Sequence, residues 1–345
     1  MRVARYRMFA VGLAVLTLSL LTNFFFVTSF ADDQSQSKPQ LQKPKQQEQQ
    51  DDQGPVVKIG TALVVLDVTV VDQSNNPVMD MAQSNFQVFE DKVPQEIKFF
   101  TREQVPVSLV FTIDTSGSMR SKLDTVIKAS STLVKESRAG DEMAIIEFKD
   151  EPVLLTEFTG DTLDVIDTLQ SLVASRQTAM LDALYVAADY ANKEGKNRRK
   201  AVIVVTDGLD KDSYYKFNDV VDHLREADVQ VYLIGFTGDL DKDSGLFKKS
   251  SKDKAEGLLA KLAEETGGKA FFPKEISETH AIAQQISTDL RTQYSIGYYP
   301  TNAKKDGTFR AVKVQVNAGN RRVVARTRQG YTAPREGEPH TSVNK

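Results

Sequence analysis

The sequence predicts a doubly wound α/β domain with a mostly parallel sheet, inserted in a β-sandwich formed by the N- and C-terminal strands of the same chain. Three observations carry this expectation. Continuous apolar runs at 107–113, 143–148, 201–205 and 229–235 read as strands buried on both faces, as in a parallel sheet covered by helices. They alternate with stretches whose apolar residues recur at helical spacing. The segments before and after this block turn instead to alternating, β-rich patterns broken by turn residues.

The elements follow in chain order. Residues 1–31 read as an export signal, because Arg2, Arg5 and Arg7 precede an apolar stretch at 8–27 and Ser29-Phe30-Ala31 offers small residues for cleavage. That stretch is also nearly long enough to span a bilayer, so a cleaved signal peptide and a retained membrane anchor both fit. Either way the remainder is expected outside the cytoplasm: periplasmic, in the cell envelope or extracellular. Residues 32–55 are rich in Gln and nearly devoid of apolar side chains, the composition of a disordered linker. Residues 56–103 hold expected strands at 63–71, 86–90 and 97–100, a Ser74-Asn75-Asn76-Pro77 turn and a tight hairpin at Asp91-Lys92.

The α/β domain is expected over 104–291. One helical stripe joins Leu123, Val126, Ile127, Ser130, Leu133 and Val134, and another joins Leu181, Leu184, Tyr185, Ala188 and Ala191. Leu258, Leu259, Leu262 and Ala263, then Ile282, Ile286 and Leu290, complete the set. Residues 151–158 add an edge strand and 267–272 a short last one. Strands at 293–299, 308–316 and 322–328 fall in the closing segment, 292–333, before a polar tail at 334–345. Neither terminal group would hold as a small isolated sheet, so the two are expected to pair.

Composition narrows the function. A chain of 345 residues with 40% hydrophobic content can bury a sizeable core, and the absence of cysteine excludes disulfides, thiolate ligands and thiol nucleophiles. The formal charge of −3, which becomes −6 without Arg2, Arg5 and Arg7, gives no reason to expect a nucleic-acid partner.

The first buried strand ends in Asp114-Thr115-Ser116-Gly117-Ser118, and a helix is expected from near Met119. Alone, this pentapeptide reads as a turn and a helix cap. Its surroundings change the reading. The run at 201–205 ends in Thr206-Asp207-Gly208, which places a second carboxylate at the same sheet edge, and Thr178 opens the helix that begins its stripe at Leu181. In doubly wound sheets ligands bind beyond the carboxyl ends of the strands, where the winding reverses.

This constellation resembles the von Willebrand factor A domain, whose metal ion-dependent adhesion site uses an Asp-x-Ser-x-Ser loop, a distant Thr and a distant Asp in this order. The resemblance covers about residues 105–291. It implies a Rossmann-like fold in which Ser116, Ser118 and Thr178 ligate a divalent cation, while Asp114 and Asp207 act largely through bound waters. Such a donor set suits Mg²⁺ or Mn²⁺, and an open coordination position would take a carboxylate from a partner. The flanking Pro94-Gln95-Glu96-Ile97, Tyr298-Tyr299-Pro300 and Arg328-Gln329-Gly330-Tyr331 resemble exported von Willebrand factor A-related proteins of acidobacteria and allied bacteria. Many relatives place Gly-Gly before the metal-site Thr, whereas this chain has Arg176-Gln177, which sets a positive charge beside the site.

On the same face, Asp210, Asp212, Asp241 and Asp243 join Arg176 as candidate partner contacts. Asp239-x-Asp241-x-Asp243 resembles the start of a Ca²⁺ loop, but Gly245 comes one residue late and Ser250 stands where a bidentate Glu belongs, so Ca²⁺ is disfavoured. His223, His280 and His340 lie far apart in sequence and from the Asp-Ser loop, which gives a Ser-His-Asp triad no support. Phosphate-binding Gly-rich motifs are absent. The expectation is therefore a binding or adhesion module without catalysis, which recognises a protein or other ligand presenting an acidic side chain and touches a membrane only through an N-terminal anchor. Two alternatives are a structural envelope component with a stabilising metal and a metal-assisted hydrolase, for which no positioned general base or second-metal carboxylate cluster is evident. The last helix, about 276–291, runs almost directly into a strand near Gln293, so a shift of that helix is expected to move the sandwich.

Overall fold

Four strands open the described chain: β1 (Val64–Asp72), β2 (Phe86–Glu90), β3 (Val93–Gln95) and β4 (Ile97–Thr101). The computed structural model describes residues 62–102, 104–175, 178–238, 240, 251–275 and 277–336. The expected export signal and linker, most of the polar tail, and the candidate residues Arg176, Asp241 and Asp243 lie outside these residues. Next come β5 (Val107–Asp114), α1 (Leu123–Lys135), β6 (Glu142–Phe148), β7 (Pro152–Thr159), α2 (Thr162–Gln170), α3 (Met180–Glu194) and β8 (Arg199–Thr206). They are followed by α4 (Phe217–Ala227), β9 (Gln230–Gly235), α5 (Ser251–Glu265), β10 (Lys269–Phe271) and α6 (Glu278–Arg291). The chain closes with β11 (Gln293–Tyr298), β12 (Phe309–Val316), β13 (Val323–Arg326) and β14 (Gly330–Thr332).

The two ends of the chain interleave. One four-stranded sheet has the order β13-β1-β11-β4 and another the order β14-β12-β2-β3, so each sheet draws strands from both ends. Alternation along β1 turns Val64, Leu66, Val68 and Val70 into the core, where they meet Phe86 and Val88 of β2, Tyr294, Ile296 and Tyr298 of β11 and Val312 of β12. Asp91 and Lys92 both take positive φ, +47° and +69°, the backbone that a two-residue hairpin between β2 and β3 demands. Because β4 pairs directly with β11, Ser295 opposite Thr101, the chain leaves the sandwich and returns to it through neighbouring strands.

The six-stranded sheet between them runs β10-β9-β8-β5-β6-β7, parallel except for the antiparallel edge strand β7. From β5 the chain winds one way through β6 and β7, then crosses to β8 and winds the other way to β10. The winding reversal falls between β5 and β8. Helices α1, α2 and α6 bury Val126, Leu133, Val165, Leu169 and Ile286 against one face. Helices α3, α4 and α5 bury Leu184, Ala188, Val220, Leu224 and Leu259 against the other. Among the described residues no helix is long and apolar enough to cross a membrane.

One expectation needs correction. No helix begins at Met119; Gly117–Met119 forms a single 3₁₀ turn and α1 starts at Leu123. The Asp114 carboxylate holds the Ser116 N–H, and the Met119 N–H closes back on the Ser116 carbonyl, so the chain tightens before it can enter helical register.

Candidate metal centre

Asp114 is the last residue of β5, fully buried, and faces the end of β8 across the winding reversal. Its Oδ1 accepts the Ser116 N–H at 2.9 Å and its Oδ2 accepts the Thr206 hydroxyl at 2.7 Å. Burial pushes the carboxyl up to about 6; the hydrogen bonds from Ser116 and Thr206 pull it down, and the charge of Asp207 pushes it further up. Asp207 is also buried and accepts the Leu209 N–H at 3.0 Å. Gly208 follows with φ +81°, where a side chain would be strained and a Cβ would stand 3.0 Å from Ala255. This tight turn sends the chain back over the sheet edge after Asp207.

The hydroxyls gather at the same edge. Ser116 Oγ and Ser118 Oγ lie 3.1 Å apart. Adjacent ligands of an octahedral ion with Mg²⁺ bond lengths are separated by about 3 Å, so this pair has the spacing of two ligands on one small cation. Thr178, buried just ahead of α3, donates its hydroxyl to the Leu209 carbonyl at 3.2 Å, and its own carbonyl accepts the Lys211 and Asp212 N–H groups. On the other side, the Ser175 N–H donates to the Thr115 carbonyl at 2.6 Å. Three loops, after β5, before α3 and after β8, are thus bonded to one another around Asp114, Ser116, Ser118, Thr178 and Asp207.

This set fits a divalent cation. Two desolvated carboxylates stand close enough for one to raise the other, and the partners of Asp114 are a neutral amide and a neutral hydroxyl. A cation would remove that electrostatic cost. Every donor is oxygen, the chemistry of hard ions such as Mg²⁺ and Mn²⁺. Among the described residues no three His, Asp or Glu side chains converge to hold a metal, so the hydroxyls are essential to any such site here.

Residues 109–209, a span that contains all five of these residues, match the von Willebrand factor type A domain family. The chain carries a von Willebrand factor type A domain. Solved structures similar to it include the von Willebrand factor type A protein from Catenulispora acidiphila, with 12% identity, 80% of this chain and 74% of that one covered, and a TM-score of 0.45. BatB from Bacteroides thetaiotaomicron shares 22% identity over 53% of this chain and 98% of that one, TM-score 0.41. The vWF domain of the type V pili tip protein Mfa5 from Porphyromonas gingivalis shares 16% over 54% and 97%, TM-score 0.42. No curated protein matches the chain.

Within the von Willebrand A domain, the residues expected to meet a partner have different places. Asp210 turns inward: its Oδ1 accepts the Met180 and Leu181 N–H groups at 2.9 and 3.3 Å and the Ser213 hydroxyl at 2.5 Å, so it caps α3 from outside the helix. Through Oδ1 this half-buried carboxylate supports the loop beside the site. Asp212 is exposed on the same loop. His223 stacks on Tyr185 with ring centroids 3.8 Å apart in the packing of α3 on α4, away from the Asp-Ser loop. Thr206 went unread in the sequence although it directly precedes Asp207; a β-branched residue at the end of a strand looks like strand propensity, and its hydroxyl acquires a role only when β5 lies alongside.

Proposed function

We propose that this chain is a metal-dependent binding module working outside the cytoplasm, in which Asp114, Ser116, Ser118, Thr178 and Asp207 hold Mg²⁺ or Mn²⁺. When bound, the cation supplies an electron-poor position for an acidic oxygen of a protein or other ligand. The protein's own contribution is rigidity. Mutual hydrogen bonds among the three loops fix the hydroxyls before any ligand arrives, which lowers the ordering cost of association. The observation that carries this reading is the pairing of buried Asp114 and Asp207 with three hydroxyls at the winding reversal of a von Willebrand A domain.

Crosslinked capture from native cell envelope, in Mg²⁺ and in EDTA, tests it. The proposal expects a partner retained in Mg²⁺, released by EDTA and missed by Asp114→Ala. Equal capture by the variant would sink the metal bridge. A metal that raises thermal stability without any metal-dependent capture would favour a structural envelope role instead.

A further inference from the structure

The Arg328-Gln329-Gly330-Tyr331 segment, distinctive in the sequence, has no part in the candidate metal centre. With Thr327 it links β13 to β14 and docks on the turn between α5 and β10. Thr266 and Arg328 form an antiparallel bridge there, and the Gln329 N–H donates to the Glu265 carbonyl at 3.1 Å. Gly267 permits so close a seam: its φ is +77°, and a Cβ on it would stand 2.5 Å from the Thr327 carbonyl carbon. Beside the seam, at the amino ends of β8 and β9 and so opposite the edge that carries Asp114, lies a cleft of about 20 Å³. That is room for one small species, since a single water needs about 10–15 Å³.

Buried donors without acceptors surround this cleft. Thr327, 9% exposed, lines it, and its hydroxyl has no hydrogen-bond partner among the described residues. Gln230, 8% exposed, lines it from β9; its amide oxygen accepts from Gln293 at 2.8 Å, which leaves the NH2 group. Arg328 is fixed by Asp228 Oδ1 at 2.6 Å and by the Val65 carbonyl at 3.0 Å, while its buried Nε has no partner among the described residues. Three carboxylates line the cleft too, and each is already engaged: Asp67 by Arg198 and Arg199, Asp228 by Arg328, and Glu265 by Arg225. Lys200 instead donates to the Asn192 carbonyl, and burial lowers its pKa against the opposing charges of Asp228 and Glu142. Arg198, Lys200, Arg225 and Arg328 thus set four positive charges around three negative ones. A water molecule would bring two O–H groups that themselves need acceptors, whereas an anion only accepts and also balances the excess charge.

We propose that this cleft binds one small monovalent anion, of the size and charge of chloride, through Thr327, Gln230 and Arg328, and that the anion fastens the sandwich to the base of the α/β domain. The test uses the full chain in EDTA at constant ionic strength, with sodium chloride exchanged for sodium gluconate, whose anion is too large for the cleft. Chloride should raise the melting temperature, and the chlorine nuclear magnetic resonance line should broaden in the presence of the chain and sharpen again when bromide is added. Thr327→Val should bind chloride about tenfold more weakly, whereas Thr327→Ser, which keeps the hydroxyl, should match the wild type. Melting in gluconate shows that each variant is folded. Wild-type crystals grown in sodium bromide should give one anomalous bromine peak against Thr327 and Gln230, a result that depends on no variant. Absence of bromide-sensitive broadening, equal chloride affinity of the wild type and Thr327→Val, or water alone in the cleft of the bromide crystal would overturn the proposal.

Discussion

At Asp114, burial and the neighbouring Asp207 oppose ionisation, while Ser116 and Thr206 donate toward the charged form. Above about pH 6 the metal-free folded chain therefore holds a desolvated carboxylate at a cost that the unfolded chain does not bear. In EDTA at pH 7.5, Asp114→Asn should be at least as stable as the wild type by urea denaturation. With Mg²⁺ at about a hundred times its Kd, the wild type should gain about 2.7 kcal/mol and the variant nothing. Thr206→Val keeps the shape but removes the donor to Asp114 and the acceptor of the Gly208 N–H, so a loss of about 1–3 kcal/mol is expected in the same assay. That Asp114 and Asp207 share one sheet edge was legible because each follows a buried apolar run, while Ser116, Ser118 and Thr178 were joined to them by the resemblance to the von Willebrand factor A domain. Hydrogen bonding across strands, as from Thr206, depends on which strands become neighbours.

Among the elements, the loop after β8 shows the same limit. Asp210-Lys211-Asp212-Ser213 reads as a charged solvent-facing run, yet Asp210 and Ser213 cap a helix that begins about thirty residues earlier in the chain. Nothing local distinguishes a carboxylate aimed at water from one aimed at a distant helix terminus. Asp210→Ala should lower stability by about 1 kcal/mol in a thermal melt, since it frees the first N–H groups of α3. Unchanged stability with weakened partner capture would instead make Asp210 a ligand contact. The strands of the six-stranded sheet were legible because burial on both faces leaves them almost wholly apolar. Short α2 and three-residue β3 and β14 were not, because segments of that length carry too few apolar positions to show a period.

Over the whole molecule, the α/β domain and the sandwich are joined by ion pairs. Asp67 of β1 meets Arg198 and Arg199 at the start of β8, and Arg199 also donates to the Leu290 carbonyl at the end of α6. Arg326 of β13 binds Asp289 of α6 at 2.6 Å, and Arg291 binds Asp141 at 2.7 Å. Only Thr292 separates α6 from β11, so the last turn of α6 is held to the domain base and to the sandwich together. Any movement of α6 must carry or break these pairs. Burial opposes ionisation of Asp67, but Arg199 and Arg198, with the Ser295 hydroxyl, outweigh it and hold the carboxyl below its ordinary value. Its contribution to stability is thus complete above the unfolded value near 4 and fades as the pH falls through the lower folded one. Asp67→Asn should cost about 3 kcal/mol at pH 7, where it strands Arg199, and should flatten the acid limb of a stability–pH curve below pH 5. An acid limb identical to the wild type's would remove Asp67 from the account. The insertion of one domain into the other was legible from the change of pattern along the chain. The ion pairs were not, since charged residues at strand ends look alike whether solvent or another domain covers them.

The central claim is that Asp114 and its neighbours form a single cation site with room for a ligand. Titration of the chain with Mn²⁺, followed by electron paramagnetic resonance of the free ion and relaxation of the water protons, measures both parts. The wild type should bind one Mn²⁺ per chain with exchangeable water still coordinated, and Asp114→Ala should bind none at that site. Mn²⁺ binding that survives Asp114→Ala unchanged, or a wild type that binds no Mn²⁺, would contradict it.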